Sequence, residues 1–161
     1  IAKGYVVERG IDILRHRGIK HAIVTAGGDS RLLGDRRGRP WMVGIRDPRE
    51  DGEVAISVPL VDEAISTSGD YERYFDEDGI RYHHIIQPST GKPAGGVHSA
   101  TVFGPDAVMT DALSTSVFVM GVKRGLTLIG TLPDYESIVI DATGKVFYSA
   151  GLMPPEAASA D

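Results

Sequence analysis

The sequence predicts a single α+β domain, in which a mostly antiparallel sheet carries two or three packed helices. Glycine accounts for 20 of the 161 residues. These glycines separate short Val- and Ile-rich segments at intervals of about ten residues, which is typical of short strands joined by turns. Two further segments carry the helical period. A length of 161 residues and a mass of 17.2 kDa suit one domain of this kind.

The first half of the chain is predicted to start with a helix over residues 3–17, followed by strands. Gly18 supplies the helix stop, and small or apolar side chains share one helix face: Val7, Gly10, Ile11 and Leu14. Residues 21–25 indicate a buried strand. Segments 31–34 and 41–45 are expected to form a hairpin around the charged turn 35–40, and segments 54–58 and 63–67 to continue the sheet.

The second half is predicted to contain another hairpin, two helices and a closing strand pair. Segments 71–75 and 81–86 flank the turn-forming Asp76-Glu77-Asp78-Gly79. A helix over 106–120 is predicted because five of its residues lie along one face at helical spacing, and a shorter helix over 122–129 follows. Strands 137–140 and 145–148 close the domain, which is expected to end at residue 153 before a flexible tail, 154–161. The five residues form a stripe: Val108, Asp111, Ala112, Thr115 and Val119.

Charge and composition exclude several classes of function. The net charge is −5, from 17 Lys and Arg against 22 Asp and Glu, and the pI is near 5.5. Such a chain is not expected to bind nucleic acid through non-specific electrostatics. The absence of cysteine excludes disulfides, thiolate zinc sites and cysteine nucleophiles. No uninterrupted apolar run reaches the roughly 18 residues of a membrane span.

The second predicted helix places a carboxylate and a hydroxyl one turn apart. Asp111 and Thr115 are four residues apart, so their oxygens point the same way, and Ser114 offers a third oxygen. Oxygen ligands of this kind suit Mg²⁺ rather than zinc. The alternative is structural: Asp111 would cap a helix and Thr115 would bond back to a carbonyl.

Two adjacent histidines are the second candidate feature. In a strand, His83 and His84 would face opposite sides, with Tyr82, His84 and Ile86 on one side. An imidazole is the usual proton acceptor for a hydroxyl nucleophile. The alternative is a pair of half-exposed sheet histidines without a catalytic role.

Three segments rich in glycine and hydroxyl residues are candidates for phosphate contact: 25–29, 66–70 and 88–93. Loops of this composition bring backbone N–H groups close to phosphate oxygens. None matches the Walker or GxGxxG pattern, so classical nucleotide-binding folds are not supported. The residues by themselves therefore predict a site that binds Mg²⁺ and phosphate groups and contains a general base, and they do not identify the reaction.

The same stretches, in this order, resemble the ApbE family of FAD:protein FMN transferases, formerly described as thiamine biosynthesis lipoproteins. The resemblance extends from the first residue to about Gly121 and continues more weakly to the last strand. Six segments carry it: Ile1-Ala2-Lys3-Gly4-Tyr5, Ala26-Gly27-Gly28-Asp29, Val43-Gly44-Ile45-Arg46-Asp47-Pro48, Thr67-Ser68-Gly69-Asp70-Tyr71, His84-Ile85-Ile86-Gln87-Pro88-Ser89-Thr90-Gly91 and Thr110-Asp111-Ala112-Leu113-Ser114-Thr115.

This resemblance implies an ApbE-like, T-fold-related domain of a Mg²⁺-dependent enzyme that splits FAD. FMN would be transferred to a Thr or Ser hydroxyl of an acceptor protein, with release of AMP. Carried over by motif, the roles are Mg²⁺ ligation by Asp111 and Thr115 and sometimes by Ser114, contact with FAD by Lys3 and Ile86, and general-base catalysis by His84. Position 87 is often Asp in the family and is Gln87 here.

The resemblance also implies that part of the enzyme lies outside this sequence. Family members are about twice as long, and their Asp-x-Gly-Gly segment, which includes a backbone carbonyl on the metal, would stand just before Ile1. The chain is therefore expected to be the C-terminal half, with an N-terminal half as its partner. The family implies a periplasmic or membrane-anchored location through an upstream lipoprotein signal, although cytoplasmic members exist.

Three alternative functions stay open at this point. The enzyme could hydrolyse FAD to FMN and AMP, as some family members do. The chain could instead be a flavin-binding or storage module that performs no chemistry. It could also be a structural domain without a ligand.

Overall fold

The protein, described by a computed structural model over residues 1–50 and 52–152, alternates short strands with two long helices. The helices are α1 (Ala2–His16) and α2 (Ala107–Ile129). The strands are β1 (Ala22–Ala26), β2 (Asp29–Leu33), β3 (Trp41–Arg46), β4 (Val54–Leu60), β5 (Ala64–Gly69), β6 (Tyr74–Glu77), β7 (Ile80–His83), β8 (Ile86–Gln87), β9 (Lys92–Pro93), β10 (Val97–Gly104), β11 (Glu136–Asp141) and β12 (Val146–Tyr148), followed by a 3₁₀ turn at Ala150–Leu152.

The central sheet has six strands in the order β1-β2-β5-β10-β11-β12. Every neighbouring pair in it is antiparallel. Three two-stranded ribbons, β3–β4, β6–β7 and β8–β9, complete the strand pairing of the described residues. This arrangement confirms the predicted α+β class with a mostly antiparallel sheet.

Both helices lie on one face of the sheet, and the β3–β4 ribbon covers the other. On the helix side, Val102 and Val139 pack against Val117 and Phe118 of α2. On the opposite side, Phe103 and other sheet residues pack against the ribbon in a second cluster, which includes Leu32, Ile45, Val58, Leu60, Ile65 and Ile138. Successive residues of β10 therefore pack into two different cores, one on each face of the sheet.

The first helix begins and ends within one residue of its predicted bounds. Gly18 has φ +77°, and its N–H donates to the carbonyl of Arg15 while the N–H of Ile19 donates to that of Leu14. This is the Schellman arrangement, which favours glycine because it needs a left-handed residue after the helix. Val7 and Ile11 are fully buried, so the predicted apolar face is confirmed.

The second helix is broken at the predicted position. Asp106 caps it by accepting from the N–H of Met109 at 2.8 Å, and Gly121, with φ 78° and ψ 173°, interrupts it. The predicted stripe is wrong, because Thr115 is exposed and Val108 half-exposed. The face on the sheet is instead the one that carries Ala107, Thr110, Ser114, Val117 and Phe118.

By length and composition alone, α2 would qualify as a membrane-crossing helix. A core helix passes the same test, and this one packs on β5 and β10. Its buried positions include the polar Thr110, Asp111 and Ser114, which bond to groups of this domain.

Several predicted strand pairings are wrong. β2 pairs with β1 and β5, and β3 pairs with β4, so the expected hairpin around residues 35–40 does not form. The reason is apolar packing: Leu32 and Ile45 belong to one core between stacked layers, so their strands lie face to face. β4 likewise leaves the main sheet for the ribbon.

The description of β1 as a buried strand is also wrong. Its residues alternate between half-buried and exposed, because it is an edge strand covered by α1 on one face only. The central strand β10 was not predicted at all. Segment 66–70, expected as a loop, lies mostly within β5.

The closing strand pair forms as predicted. β11 and β12 pair antiparallel. The second hairpin turns within the predicted segment 76–79, but its strands, β6 and β7, are shorter than predicted and include Glu77 and Ile80. Asp78 and Gly79 both have positive φ and form the two-residue turn between β6 and β7, whose register pairs Glu77 with Ile80. The predicted tail, 154–161, lies outside the described residues.

The two helices approach most closely at Gly4. A Cβ built there would overlap the carbonyl oxygen of Ala107 and would lie 2.9 Å from the Asp111 Cβ. The Glu8 carboxylate accepts from the N–H of Ala107 at 2.9 Å, one turn further along α1. The position therefore requires glycine for contact between the helices.

We expect Gly4→Ala to lower the free energy of unfolding by about 1–3 kcal/mol, because the added methyl forces α1 and α2 apart. Urea unfolding followed by circular dichroism measures this. Gly95→Ala is the matched control, since a Cβ at Gly95 meets nothing within 4 Å. Equal stability of the Gly4 variant and wild type would show that the close approach is not needed.

Candidate functional site

The carboxylate of Asp111 lies where α2 meets the start of α1. It is 6% exposed, and its Oδ2 accepts from the backbone N–H of Gly4 at 2.9 Å and lies 2.6 Å from the nitrogen of Ile1. Gly4 lies in the first turn of α1, so Asp111 caps that helix, as the structural alternative expected for this residue. The α1–α2 contact fixes it in place.

Hydroxyl groups continue the site along α2. The Oγ of Ser68 on β5 lies 3.0 Å from the Oγ of Ser114 and 3.0 Å from the Oγ1 of Thr115. Ser114 also donates to the carbonyl of Asp111 at 3.0 Å, whereas the Thr115 hydroxyl bonds to Ser68 and not back to its own helix. The predicted trio Asp111, Ser114 and Thr115 is thus held together, with Ser68 as a fourth oxygen.

Lys3 lies on the same side of the domain as Asp111. Its ammonium donates to the Gly27 carbonyl at 3.0 Å and lies 3.1 Å from Oδ2 of Asp29. An ammonium has three N–H groups, so these contacts leave one N–H for a further acceptor. The Gly27-Gly28 turn, where both residues have positive φ, joins β1 to β2 and presents that carbonyl to Lys3.

The two carboxylates of the site differ in their titration. Burial raises the pKa of Asp29, the Lys3 ammonium opposes that rise, and the charge of Asp111 adds to it. Burial would also raise the pKa of Asp111, but hydrogen bonds from the Ile1 nitrogen and the Gly4 N–H outweigh it, so this pKa is lowered.

The two histidines have different environments. His83 is 8% exposed; its Nε2 bonds to the Ala94 carbonyl at 2.9 Å, its Nδ1 accepts from the N–H of Ile85 at 3.3 Å, and its ring packs edge-on against Phe118. Both ring nitrogens are thus used structurally. Strand β7 ends at His83, so neither the expected strand alternation nor the half-exposed pair is correct.

His84 is exposed and lies just beyond the strand. Its Nδ1 makes a long contact, 3.4 Å, with the Arg73 carbonyl. Ile86, also exposed, begins β8, and Gln87 reaches the Val119 carbonyl of α2 at 3.4 Å. Within the described residues, no hydrogen bond or ion pair joins His84 or Ile86 to the Asp111 group.

The donor set around Asp111 fits a hard cation. Its members are oxygen atoms, a carboxylate with the hydroxyls of Ser114 and Thr115, which suits Mg²⁺. Among the described residues no group of three or more His, Cys, Asp or Glu side chains is placed to hold a metal. A cation here would therefore depend on hydroxyl, backbone or solvent oxygens as well. Two surface cavities, of about 600 and 350 Å³, are lined by other residues.

Comparison with known proteins identifies a family. The model of the ApbE family matches residues 1–139.

The chain belongs to the ApbE family. It is 37% identical to an FAD:protein FMN transferase of Treponema pallidum over 95% of this chain and 45% of that protein. It is 43% identical to one of Vibrio cholerae over 96% of this chain and 48% of that protein. The solved ApbE protein of Thermotoga maritima has a TM-score of 0.86 at 42% identity, covering 94% of this chain and 50% of its own.

These comparisons confirm the family resemblance and the ApbE-like fold. The chain spans about half the length of the curated ApbE relatives that it matches. The roles assigned to Lys3, His84, Ile86, Asp111, Ser114 and Thr115 stay predictions.

Sequence reasoning missed two polar members of the site. Ser68 and Asp29 both lie within segments that carry the ApbE resemblance, but neither was given a role. The signal available was their position in Thr67-Ser68-Gly69-Asp70 and Ala26-Gly27-Gly28-Asp29. Which residue they contact depends on long-range packing, so the sequence pattern alone does not show it.

The environments of the two histidines predict that replacing them has unequal effects on stability. We expect His83→Ala to cost about 2–3 kcal/mol of unfolding free energy, because it leaves the buried Ala94 carbonyl without its donor and removes the packing on Phe118. His84→Ala, at an exposed position, should change stability by less than about 0.5 kcal/mol. Chemical denaturation of both variants measures the difference, and a similar cost for both would contradict these environments.

Proposed function

We propose that this chain is the half of an FAD:protein FMN transferase that carries the metal ligands and the general base. The observation that supports this most is the nearly buried Asp111 carboxylate, which accepts from the Gly4 N–H within one turn of the linked hydroxyls of Ser114 and Thr115 on α2. The names of its ApbE relatives support flavin transfer. Transfer to a Thr or Ser hydroxyl with release of AMP is the finer part of the proposal.

Asp111 and Thr115 would hold Mg²⁺, with Ser114 adjacent. A bound Mg²⁺ would neutralise charge on the pyrophosphate of FAD. Lys3 would donate its remaining N–H to an anionic oxygen of FAD, because its other contacts, to Gly27 and Asp29, fix its ammonium near Asp111. Ile86 would provide an exposed apolar surface for the flavin nucleotide.

His84 would take the proton from the acceptor hydroxyl. If its Nδ1–H donates to the Arg73 carbonyl, the lone pair stays on Nε2, which makes no hydrogen bond within the described part of the chain and is free to act as base. The deprotonated acceptor oxygen would form a bond to the FMN phosphorus. The bond from that phosphorus to the bridging oxygen of the pyrophosphate would break, and AMP would leave with the bridging oxygen.

The rest of the flavin pocket belongs, in this proposal, to an N-terminal half of the same enzyme. The location, periplasmic or membrane-anchored through a lipoprotein signal, stays a prediction. The proposal is therefore tested on the full-length protein that contains this chain.

Full-length protein with FAD, Mg²⁺ and a peptide carrying a flavinylation motif should yield a covalently flavinylated peptide and AMP. We expect His84→Ala to slow transfer by about 10²- to 10⁴-fold, the usual contribution of a general base, with an unchanged Kd for FAD. His16→Ala, an exposed histidine at the end of α1, is the control and should transfer normally. Mass spectrometry of the peptide and chromatography of AMP are the readouts.

Three results would contradict this proposal, each in a different way. Free FMN and AMP without flavinylated peptide would indicate an FAD pyrophosphatase. Bound FAD that stays intact at saturating Mg²⁺ would indicate a flavin-binding module. Equal loss of FAD binding and transfer in His84→Ala would remove the base assignment.

Asp111→Asn tests the metal ligand. The amide oxygen can still accept from Gly4, so the fold is expected to persist, but the ligand charge is lost. We expect the Mg²⁺ concentration for half-maximal transfer to rise at least about tenfold. Asp12→Asn, at a half-buried carboxylate of α1 that pairs with Arg9, is the control and should leave the Mg²⁺ dependence unchanged. An unaltered Mg²⁺ dependence in Asp111→Asn would exclude Asp111 as a ligand.

A further inference from the structure

A group of cations lies at the end of α1 that is remote from Asp111. Five side chains form it, which we call the basic corner: Arg17, Lys20, Arg36, Arg37 and Arg39. The corner is local, because the chain as a whole carries a net charge of −5. From Gly4 to Gly18, α1 rises about 21 Å at 1.5 Å per residue, so the basic corner and the Asp111 group are separate sites.

Within residues 1–50 and 52–152, the cations of the basic corner have no ion-pair partner. Elsewhere in the described residues, seven Lys and Arg side chains are paired, for example Arg9 with Asp12 and Arg46 with Glu72. The other cations without an ion pair there are spread over separate segments: Arg73, Lys92, Lys123, Arg124 and Lys145. No carboxylate within the described ranges lies within 4 Å of a charged nitrogen of the basic corner. Unpaired positive charge at one place on an acidic protein indicates an anionic partner.

One carboxylate, Asp35, lies within this region but is already engaged. Its Oδ2 accepts from the Gly38 N–H at 3.0 Å, and its Oδ1 lies 3.1 Å from Nδ1 of His21. The Arg36 N–H also donates to the Arg39 carbonyl at 2.7 Å. These bonds fix the backbone of the 35–39 turn, so Asp35 shapes the loop that presents the arginines.

The basic corner surrounds a concave surface. A cavity of about 600 Å³ lies between the end of α1 and the 35–39 turn, and Lys20, Arg36 and Arg37 line it together with Trp41. Trp41 is half-buried and donates its indole N–H to the Gly34 carbonyl at 3.1 Å. The cavity thus has a fixed aromatic wall and a cationic rim, which is the usual pattern of an anchor pocket in a protein interface.

The shape and charge distinguish among anionic partners. A nucleic acid would be repelled by the rest of this acidic chain. A bilayer is flat and would not enter a concave pocket. A small anion would be held weakly, because exposed, flexible side chains provide little preorganisation. A flexible acidic peptide segment satisfies several cations at once and can place an apolar side chain against Trp41.

We propose that the basic corner and the Trp41 cavity form a docking site for an acidic segment of the acceptor protein. This inference rests on the proposed transferase function, in which a protein must be held while its hydroxyl reacts. Docking about 21 Å from Asp111 along α1 raises the local concentration of the acceptor without occupying the reacting site. A linker of about seven extended residues would span that distance.

The first experiment measures binding and needs no transfer. Trp41 is the only Trp of these 161 residues, so we expect a peptide of eight glutamates to change its fluorescence in the full-length protein. The fluorescence change should disappear in Trp41→Phe, which shows that it comes from Trp41. A Gly-Ser peptide of equal length, inorganic phosphate and anionic phospholipid vesicles are the comparison probes. We expect saturable binding of the glutamate peptide only, weakened at least tenfold by Arg36→Glu with Arg37→Glu and abolished in 0.5 M NaCl.

The second experiment measures transfer to two acceptor peptides that differ only in an added extension, either eight glutamates or a Gly-Ser sequence, on a ten-residue linker. In wild type the acidic extension should lower KM at least fivefold without changing kcat. The charge reversal at Arg36 and Arg37 should remove this advantage and leave KM for FAD unchanged. Lys123→Glu with Arg124→Glu, exposed cations on α2, is the matched control and should keep the advantage.

The outcomes separate the two proposals. Acidic-peptide binding without any flavin transfer would contradict the transferase proposal and the assignment of the docked segment to a flavin acceptor. The site would then still be supported as a docking site for an acidic segment. Transfer with equal KM for both peptides, or an acidic advantage that survives the charge reversal, would overturn the docking site alone. Binding of phosphate or vesicles in preference to the glutamate peptide would overturn it as well.

Discussion

The structure depends on the close contact between α1 and α2 at Gly4. Only a residue without a side chain lets the backbone of α1 approach Ala107, and that approach brings the Gly4 N–H to the carboxylate of Asp111 at 2.9 Å. The hydrogen bond gives a nearly buried carboxylate oxygen a donor. The same contact places Lys3 beside Asp111, because Lys3 precedes Gly4 on α1. The packing of two helices and the chemistry of the proposed site therefore have one cause.

The hydroxyl groups between α2 and β5 extend this arrangement into the sheet. Ser66 bonds to Thr110 at 3.0 Å, and Ser68 bonds to Ser114 and Thr115. A purely apolar interface at these positions would serve stability better than small hydroxyl residues do. Their presence at one end of a well-packed helix, next to the nearly buried carboxylate of Asp111, is the kind of local departure from core packing that marks a functional site.

Local signals in the sequence predicted the helices and the pairs β6–β7 and β11–β12, but not the other strand pairings. The Gly18 stop, the Gly121 break and the Asp78-Gly79 turn depend on backbone preferences that a few residues determine. The pairing of β2 with β5, and of β3 with β4, depends on which apolar faces meet across the sheet, and that information is spread over distant segments. β10 was missed because it mixes Ser, Ala and Thr with Val and Phe. Its central place in the sheet depends on pairing with β5 and β11, which are distant in the sequence. For the site, the spacing of Asp111 and Thr115 predicted that their side chains share one side of α2. Their hydrogen-bond partners, Gly4 and Ser68, could be identified only from the fold.

The central claim is that the α1–α2 contact builds a cation site from Asp111 and Thr115. Anomalous diffraction from crystals of the full-length protein grown with Mn²⁺ in place of Mg²⁺ tests it most directly. The account predicts an anomalous peak within about 2.5 Å of an Asp111 carboxylate oxygen and of the Thr115 hydroxyl. A fully occupied Mn²⁺ peak held by other residues, with Asp111 still bonded only to the start of α1, would contradict it.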